Sequence, residues 1–163
     1  MSENNKPSGV VYLTRERLVE LENELRSLKV KDRAEMAQKI AEARSHGDLS
    51  ENAEYDAAKE AQLLLEIRIG KLTQTLARAR IIDSKELPND KVYILSKIKL
   101  KDLKTNDSVT YLLVSPEEAN FEDNKISVTS PLGRGLMGKT KGDVLKIPVP
   151  AGTLEYKILE ISR

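Results

Sequence analysis

The sequence has few of the residues that fill a large hydrophobic core. It contains no tryptophan, one phenylalanine and only 4% aromatic residues, whereas 33% of its 163 residues are charged. Cysteine is also absent, which excludes disulfide bonds and thiol chemistry. This composition predicts long solvated helices together with a compact domain, because bulky side chains are too scarce for one large core.

The chain also lacks a strong net charge and any long apolar run. Its formal net charge is +1, so any contact with nucleic acid has to come from a local patch. The first nine residues are polar, and no apolar run is long enough to span a bilayer. We therefore expect a soluble cytoplasmic protein without a membrane partner.

The first half has the apolar period of two antiparallel helices. Leucines recur at gaps of three and four, the narrow seam of a coiled coil, at Leu18, Leu21, Leu25 and Leu28. A second helical run covers about residues 51–80, and the short segment that separates the runs contains Gly47, which favours a hairpin. We predict a flexible segment at 1–13 and a coiled-coil finger at 14–83, roughly 45 Å long, with its tip at 46–56.

In the second half the period changes to that of strands. Strands rich in valine, isoleucine and leucine are predicted at residues 91–100, 108–114, 125–129, 143–149 and 153–161. A short helix is predicted within residues 132–139. The fold class is therefore α+β: an N-terminal helical hairpin, a linker at 84–90, and a domain at 91–163 built on an antiparallel sheet.

The predicted tip is strongly acidic. Its carboxylates are Glu42, Asp48, Glu51, Glu54 and Asp56, against a single basic residue, Arg44. Asp48 followed by Glu51 resembles a capping box for the second helix, which would be a purely structural role. Alternatively, the two carboxylates form half of a Mg²⁺ site, because Mg²⁺ takes one or two protein carboxylates and completes its shell elsewhere. From the spacing alone both interpretations stay open.

Two further tip residues also have alternative roles. His46, the only histidine, is either a base or ligand beside the acids or a helix-end residue near the last carbonyl groups. Tyr55 either stacks on a nucleotide base or packs across the end of the hairpin.

Two long stretches resemble a known family. Residues 42–55 are similar to the tip signature of the GreA/GreB transcript-cleavage factors, and residues 126–139 are similar to the family's second signature. Leu49 and the run from Ala53 to Tyr55 are more similar to the GreA branch. One departure is Asn120, where the family is expected to have aspartate.

This resemblance implies a function and a set of partners. The finger would enter the secondary channel of bacterial RNA polymerase, and Asp48 and Glu51 would help to hold a Mg²⁺ ion shared with the polymerase. The polymerase would then cleave its backtracked RNA, so the chain is expected to be an accessory factor rather than an enzyme, to bind no Mg²⁺ tightly alone, and to be a monomer. The second half resembles the family's FKBP-like domain, whose expected docking residues are Ser130, Pro131, Leu132 and Gly133.

A basic band is predicted part-way along the finger. If the hairpin closes near residues 48 and 49, Arg26 faces Lys71 and Lys29 faces Arg68, with Arg33 on the same face. These residues and Tyr55 are the candidates for contact with the nascent RNA 3′ end, through phosphate contacts for the basic ones. The alternative is an ordinary solvated helix face.

Three other functions are weighed against cleavage assistance. A protein that occupies the channel without promoting cleavage would need an altered tip, and here the acids are present. A peptidyl-prolyl isomerase would need an aromatic-lined pocket, for which the second half offers only Tyr93, Tyr111, Phe121 and Tyr156. An autonomous metal nuclease would need more ligands than one tip supplies.

Overall fold

The structure, a computed structural model, describes residues 9–47 and 51–163. The chain divides into two compact units: Glu16–Ala79, and Arg80–Arg163 together with the N-terminal segment up to Arg15. Within the described residues, no helix is both long and apolar enough to cross a membrane.

The first unit is the predicted helical hairpin. Its elements are α1 (Arg15–Ser27), a π-helical turn (Leu28–Asp32), α2 (Arg33–Ser45) and α3 (Ala53–Ala77). The buried seam consists of Leu21, Leu28, Ile40, Ala43, Ile69 and Leu72. Leu21 and Leu28 belong to the leucine repeat of the first predicted helix, and Ile69 and Leu72 lie in the second predicted helical run, so the coiled-coil prediction is confirmed.

The N-terminal segment differs from its prediction. Val11–Leu13 form strand β1, which pairs with β2 (Ala79–Ile81) in a two-stranded sheet. Val11 and Leu13 are fully buried, and the Tyr12 amide donates a hydrogen bond to Ser115 Oγ at 2.9 Å. The flexible segment predicted at 1–13 is therefore wrong for residues 11–13, because their alternating apolar side chains pack as a strand. The preceding residues 1–8 lie outside the described part of the chain.

The second unit contains a five-stranded sheet in the order β5-β4-β3-β7-β6. The strands are β3 (Lys97–Asp102), β4 (Ser108–Val114), β5 (Lys125–Ser127), β6 (Val144–Val149) and β7 (Gly152–Ser162). Neighbouring strands are antiparallel, as predicted, except that β5 runs parallel to β4. The sheet is thus mixed, and the α+β prediction is confirmed.

Strand β3 begins six residues later than predicted. Leu95 has a left-handed backbone with φ of 68°, and its amide donates to Leu113 O at 2.7 Å. The Tyr93 amide donates to Ser96 Oγ at 3.0 Å, which closes a turn. A residue with positive φ cannot continue a regular strand, so the segment before Lys97 enters the core as a turn.

Helix α4 (Pro131–Leu136) covers the core of the second unit. The fully buried members of this core are Val92, Ile98, Leu100, Leu113, Leu136 and Ile158. The predicted linker at 84–90 belongs to this unit as well. It contains a 3₁₀ turn (Ser84–Glu86), and Arg163 hydrogen-bonds both Asn89 Oδ1, at 2.8 Å, and Lys85 O.

Candidate functional site at the hairpin tip

Asn52 is the N-cap of α3 and joins the two helices at the tip. Its Oδ1 accepts a hydrogen bond from the Tyr55 amide at 3.1 Å, which satisfies one of the free donors of the first helical turn. Its Nδ2 donates to Ala43 O at 2.6 Å, in the last turn of α2. One side chain therefore holds the beginning of α3 against the end of α2.

This capping geometry decides one of the open alternatives. A capping box formed by Asp48 and Glu51 would place the N-cap of the second helix at Asp48. The N-cap is Asn52 instead, and Glu51 is exposed just before the helix. The cap of α3 is therefore Asn52 and not the predicted capping box. Asp48 itself lies outside the described residues, so its assigned role stays a prediction, as does that of Glu51.

Two other contacts cross the tip between the same helical turns. His46 Nε2 lies 4.0 Å from Glu54 Oε2, and both side chains are largely exposed. The Arg44 guanidinium lies over the Tyr55 ring, 5.7 Å from its centroid, a distance that suits a cation–π contact. His46 is the C-cap of α2, as the helix-end interpretation predicts, and it also lies beside an acid. The Arg44 contact favours the interpretation of Tyr55 as a residue that packs across the hairpin.

The described residues hold no group of three or more histidine, cysteine or acidic side chains placed to bind a metal ion. This observation does not include Asp48. Glu51 offers the carboxylate oxygens that Mg²⁺ prefers, and one or two such groups supply only part of its shell. Magnesium binding at the tip therefore stays a prediction.

Two of the five basic residues predicted to contact RNA pair with acids on the facing helix. Arg33 Nε and Nη2 each donate to Glu66, both at 2.8 Å, and these bonds raise the pKa of Arg33 and lower that of Glu66. Arg68 pairs with Glu24 through Nε, at 3.1 Å, and through Nη2. Opposite charges attract across the hairpin, so Arg68 pairs with Glu24, while its predicted position opposite Lys29 stays a prediction.

Arg26 and Lys29 occupy a different setting. With Glu22, Leu25, Val30 and Leu76 they line an open groove of about 270 Å³ on the finger. Lys71 is exposed on α3. Within the part of the chain that the structure describes, these three basic residues form no ion pair. They are therefore better placed for phosphate contacts than Arg33 and Arg68, and RNA contact by all five stays a prediction.

The predicted docking segment caps and begins α4. Ser130 Oγ accepts from the Gly133 amide at 3.0 Å and donates to Ser127 O at 2.7 Å. Gly133 is buried, and a Cβ there would lie 2.0 Å from Ser127 O. Ser130 and Gly133 thus shape the segment, whereas Pro131 is its exposed member and Leu132 is half-buried. Docking itself stays a prediction.

Among the described residues of the second unit, Phe121 lies apart from the tyrosines of the core. Phe121 is 81% exposed, and its neighbour Asn120 forms a bridge with Lys125. Tyr156 is buried in the core, where burial raises its pKa, and Tyr111 packs against the same core. An isomerase pocket that needs these rings together is therefore unsupported.

Comparisons with known proteins cover nearly the whole chain. The family profile "Transcription elongation factor, N-terminal" matches residues 11–81, and "Transcription elongation factor, GreA/GreB, C-term" matches residues 87–163. The transcription elongation factor GreA of Chlorobaculum parvum is 53% identical over 155 residues, which are 94% of this chain and 98% of the relative. The chain belongs to the GreA/GreB family.

A second GreA and one solved structure are also similar to this chain. The GreA of Flavobacterium johnsoniae is 51% identical over 156 residues, 96% of this chain and 99% of the relative. Among solved structures, GreA factor homolog 1 of Thermus thermophilus is 32% identical over 94% of this chain and 99% of its own, with a TM-score of 0.42. The resemblance seen in the sequence is confirmed, and the chain is a transcription elongation factor by family.

The sequence analysis missed the roles of Asn52 and Arg44 in the GreA/GreB tip. Asparagine is among the best N-cap residues, and Asn52 stands immediately before the apolar period of α3, so its capping role was detectable. Its second bond, to Ala43 O, depends on how closely the two helices approach. No sequence pattern specifies that distance.

Proposed function

We propose that this chain stimulates the Mg²⁺-dependent cleavage of backtracked nascent RNA by bacterial RNA polymerase. The finger enters the secondary channel, and Asp48 and Glu51 complete a magnesium site with the polymerase's own carboxylates. The RNA phosphodiester is hydrolysed by water, which leaves a new RNA 3′ hydroxyl at the active centre and a 5′ phosphate on the released fragment. Arrested elongation complexes then resume synthesis.

The observation that carries this proposal is the position of the N-cap. Because Asn52 caps α3, neither Asp48 nor Glu51 is needed for that purpose, and Glu51 is exposed at the start of the helix. An acidic pair that is not required as a helix cap remains available for a charged partner. The family's function, transcription elongation, makes RNA polymerase the partner that we infer.

The chemistry of the donors suits this role. Mg²⁺ held between the tip and the polymerase would polarise the attacking water and neutralise charge on the scissile phosphate. Asp48 and Glu51 would contribute only oxygen ligands, so the chain alone should have weak affinity for Mg²⁺. The finger also supplies Arg26, Lys29 and Lys71 as candidates for phosphate contacts with the extruded RNA 3′ end.

The second unit provides the docking surface in this proposal. Pro131 and Phe121 are exposed, on α4 and on the loop before β5, and we assign them to contact with the rim of the channel. Large exposed aromatic side chains are common at protein interfaces. Asn120 Nδ2 donates to Asp123 at 2.9 Å, which supports the loop beside Phe121.

The test is RNA cleavage in backtracked elongation complexes of a bacterial RNA polymerase. Three proteins are compared: the native chain, Asp48→Asn/Glu51→Gln, and Glu35→Gln/Glu60→Gln as a matched control. The control also removes two exposed carboxylates from the finger, but from the sides of α2 and α3. We expect strong stimulation by the native chain and the control, and little or none by the tip variant.

Competition for polymerase binding separates this proposal from simple occupation of the channel. The folded tip variant should displace the native chain at equal concentration and so inhibit cleavage. If the native chain binds polymerase but leaves cleavage unchanged, the proposal fails and the chain regulates by occupying the channel. RNA cleavage by the purified chain without polymerase would contradict the accessory role.

A further inference from the structure

Asn52 is the best-connected polar side chain of the described tip. It makes one hydrogen bond to each helix. Its Oδ1 accepts from the Tyr55 amide of α3 at 3.1 Å, and its Nδ2 donates to Ala43 O of α2 at 2.6 Å. The other two cross-tip contacts, His46 with Glu54 and Arg44 with Tyr55, involve exposed charged groups. Exposed pairs of that kind hold geometry weakly.

The two bonds together require an amide side chain. The Tyr55 amide needs an acceptor and Ala43 O needs a donor, and both must come from one short side chain. Aspartate accepts but cannot donate when ionised. Serine accepts, and its hydroxyl is too short to span both helices. The two bonds also fix the orientation of the Asn52 amide. If its oxygen and nitrogen were exchanged, the oxygen would face Ala43 O and the NH₂ group would face the Tyr55 N–H.

We propose that Asn52 is a positioning residue, whose bridge from Ala43 O to the Tyr55 amide holds Glu51 where it can act in RNA cleavage. This inference rests on the proposed function. Glu51 directly precedes Asn52, so a rotation or shift of Asn52 moves the Glu51 carboxylate with it. Cleavage requires that carboxylate to meet groups of a second protein, and misplacement by about 1 Å can reduce a rate by about 100-fold.

The variants are chosen to separate the bridge from the helix cap. Asn52→Asp and Asn52→Ser both keep an N-cap acceptor, so α3 should stay folded, and neither can bridge to Ala43 O. The two differ in charge, which controls for the added carboxylate of Asn52→Asp. Glu54→Gln is the matched control, because it removes the exposed His46 contact of the same tip.

The first measurement is cleavage in backtracked complexes as a function of factor concentration. For Asn52→Asp and Asn52→Ser we expect the maximal rate to fall by about 10- to 100-fold. The concentration that gives half the maximal rate should stay within about twofold, because docking does not depend on this bridge. Glu54→Gln should keep most of the native rate. Native rates in both Asn52 variants, or an equal loss in Glu54→Gln, would overturn the proposal.

The second measurement is amide hydrogen exchange of the isolated chain. A lost bridge should speed exchange in peptides from the last turn of α2 and the first turn of α3 by about five- to tenfold, the effect of one hydrogen bond, whereas the middle of α3 stays protected. If exchange is unchanged in both variants, the proposed bridge is wrong, and this result does not depend on polymerase. If instead the native chain fails to stimulate cleavage while exchange responds as expected, the proposed function fails and the structural bridge stands without a catalytic purpose.

Discussion

The two compact units are stabilised in different ways. The finger buries a single narrow seam, and large apolar side chains such as Val30, Leu63 and Leu64 are 60–69% exposed on it. The sheet unit encloses its core on several sides, and Ile98, Leu100, Leu113 and Ile158 have no exposed surface. Stability in the sheet unit therefore depends mainly on packing, whereas in the finger helix propensity, caps and surface charges carry a larger share.

The largest expected difference between the units comes from removing one buried leucine in each. Leu100→Ala leaves a cavity in the core above β3, and the strands on either side, β4 and β7, are held in place by hydrogen bonds and cannot close it, so we expect a loss of about 4 kcal/mol. Leu72→Ala in the finger should cost about 2 kcal/mol, because two helices can move closer together. Chemical denaturation followed by tyrosine signal reports mainly the sheet unit, which contains four of the five tyrosines, and helical circular dichroism reports the finger. Equal losses would contradict the comparison.

The next effect concerns close packing around α4. A Cβ at Gly133 would lie 2.0 Å from the backbone oxygen of Ser127, so Gly133→Ala must displace a main-chain segment. We expect destabilisation of about 1–3 kcal/mol, measured by thermal unfolding of the sheet unit. Gly135→Ala is the control. Its Cβ would meet no backbone atom, only the Ile147 side chain at 3.0 Å (Cδ1) and 3.2 Å (Cγ1), which can give by a few tenths of an ångström, so a loss as large as that of Gly133→Ala would argue against a backbone clash.

The same contrast explains which parts of the structure could be predicted from the sequence. The buried seam of the finger could be predicted, because the spacing of apolar residues along each helix specifies the face that it buries. Leu21 and Leu28 mark that face on the first helical run, and Ile69 and Leu72 mark it on α3. The start of β3 could not be predicted, because the turn at Leu95 depends on a hydrogen bond to Leu113, a residue distant in sequence. Local patterns therefore specify the hairpin, whereas long-range contacts decide the details of the sheet.

At the tip, too, local features could be predicted from the sequence and contacts between the helices could not. Its acidic character and family signature are visible in the sequence, as is the capping preference of Asn52. The pairing of Arg68 with Glu24 was missed, because a small change in helix register exchanges one facing residue for another. Assignments that depended on facing residues were thus less secure than those that depended on position along the chain.

A smaller effect, of opposite sign, is expected at Gly70. This glycine lies inside α3, and an added Cβ would have no neighbour within 4 Å. Gly70→Ala should therefore stabilise the finger by about 0.5–1 kcal/mol through helix propensity alone. The increase should appear in the helical signal and not in the tyrosine signal. Destabilisation by Gly70→Ala would show that the middle of α3 is more closely packed than its open surroundings indicate.

The smallest expected effect is that of the Arg33–Glu66 pair, and it depends on pH. The hydrogen bonds from Arg33 hold the pKa of Glu66 below its usual value near 4.5, so the charged form of Glu66 is favoured in the folded chain. The stabilisation is present at pH values above the pKa that Glu66 has in the unfolded chain. It is lost as the pH falls through the lower pKa that Glu66 has in the folded chain. Glu66→Gln should lower the Tm of the finger slightly at neutral pH, by less than Gly70→Ala raises it, and the difference should disappear in acid. Glu60→Gln removes the same charge from α3 but leaves the Arg33 pair intact, so it should not show this pH dependence. A Glu66→Gln deficit that persists unchanged in acid would mean that its origin is packing and not charge.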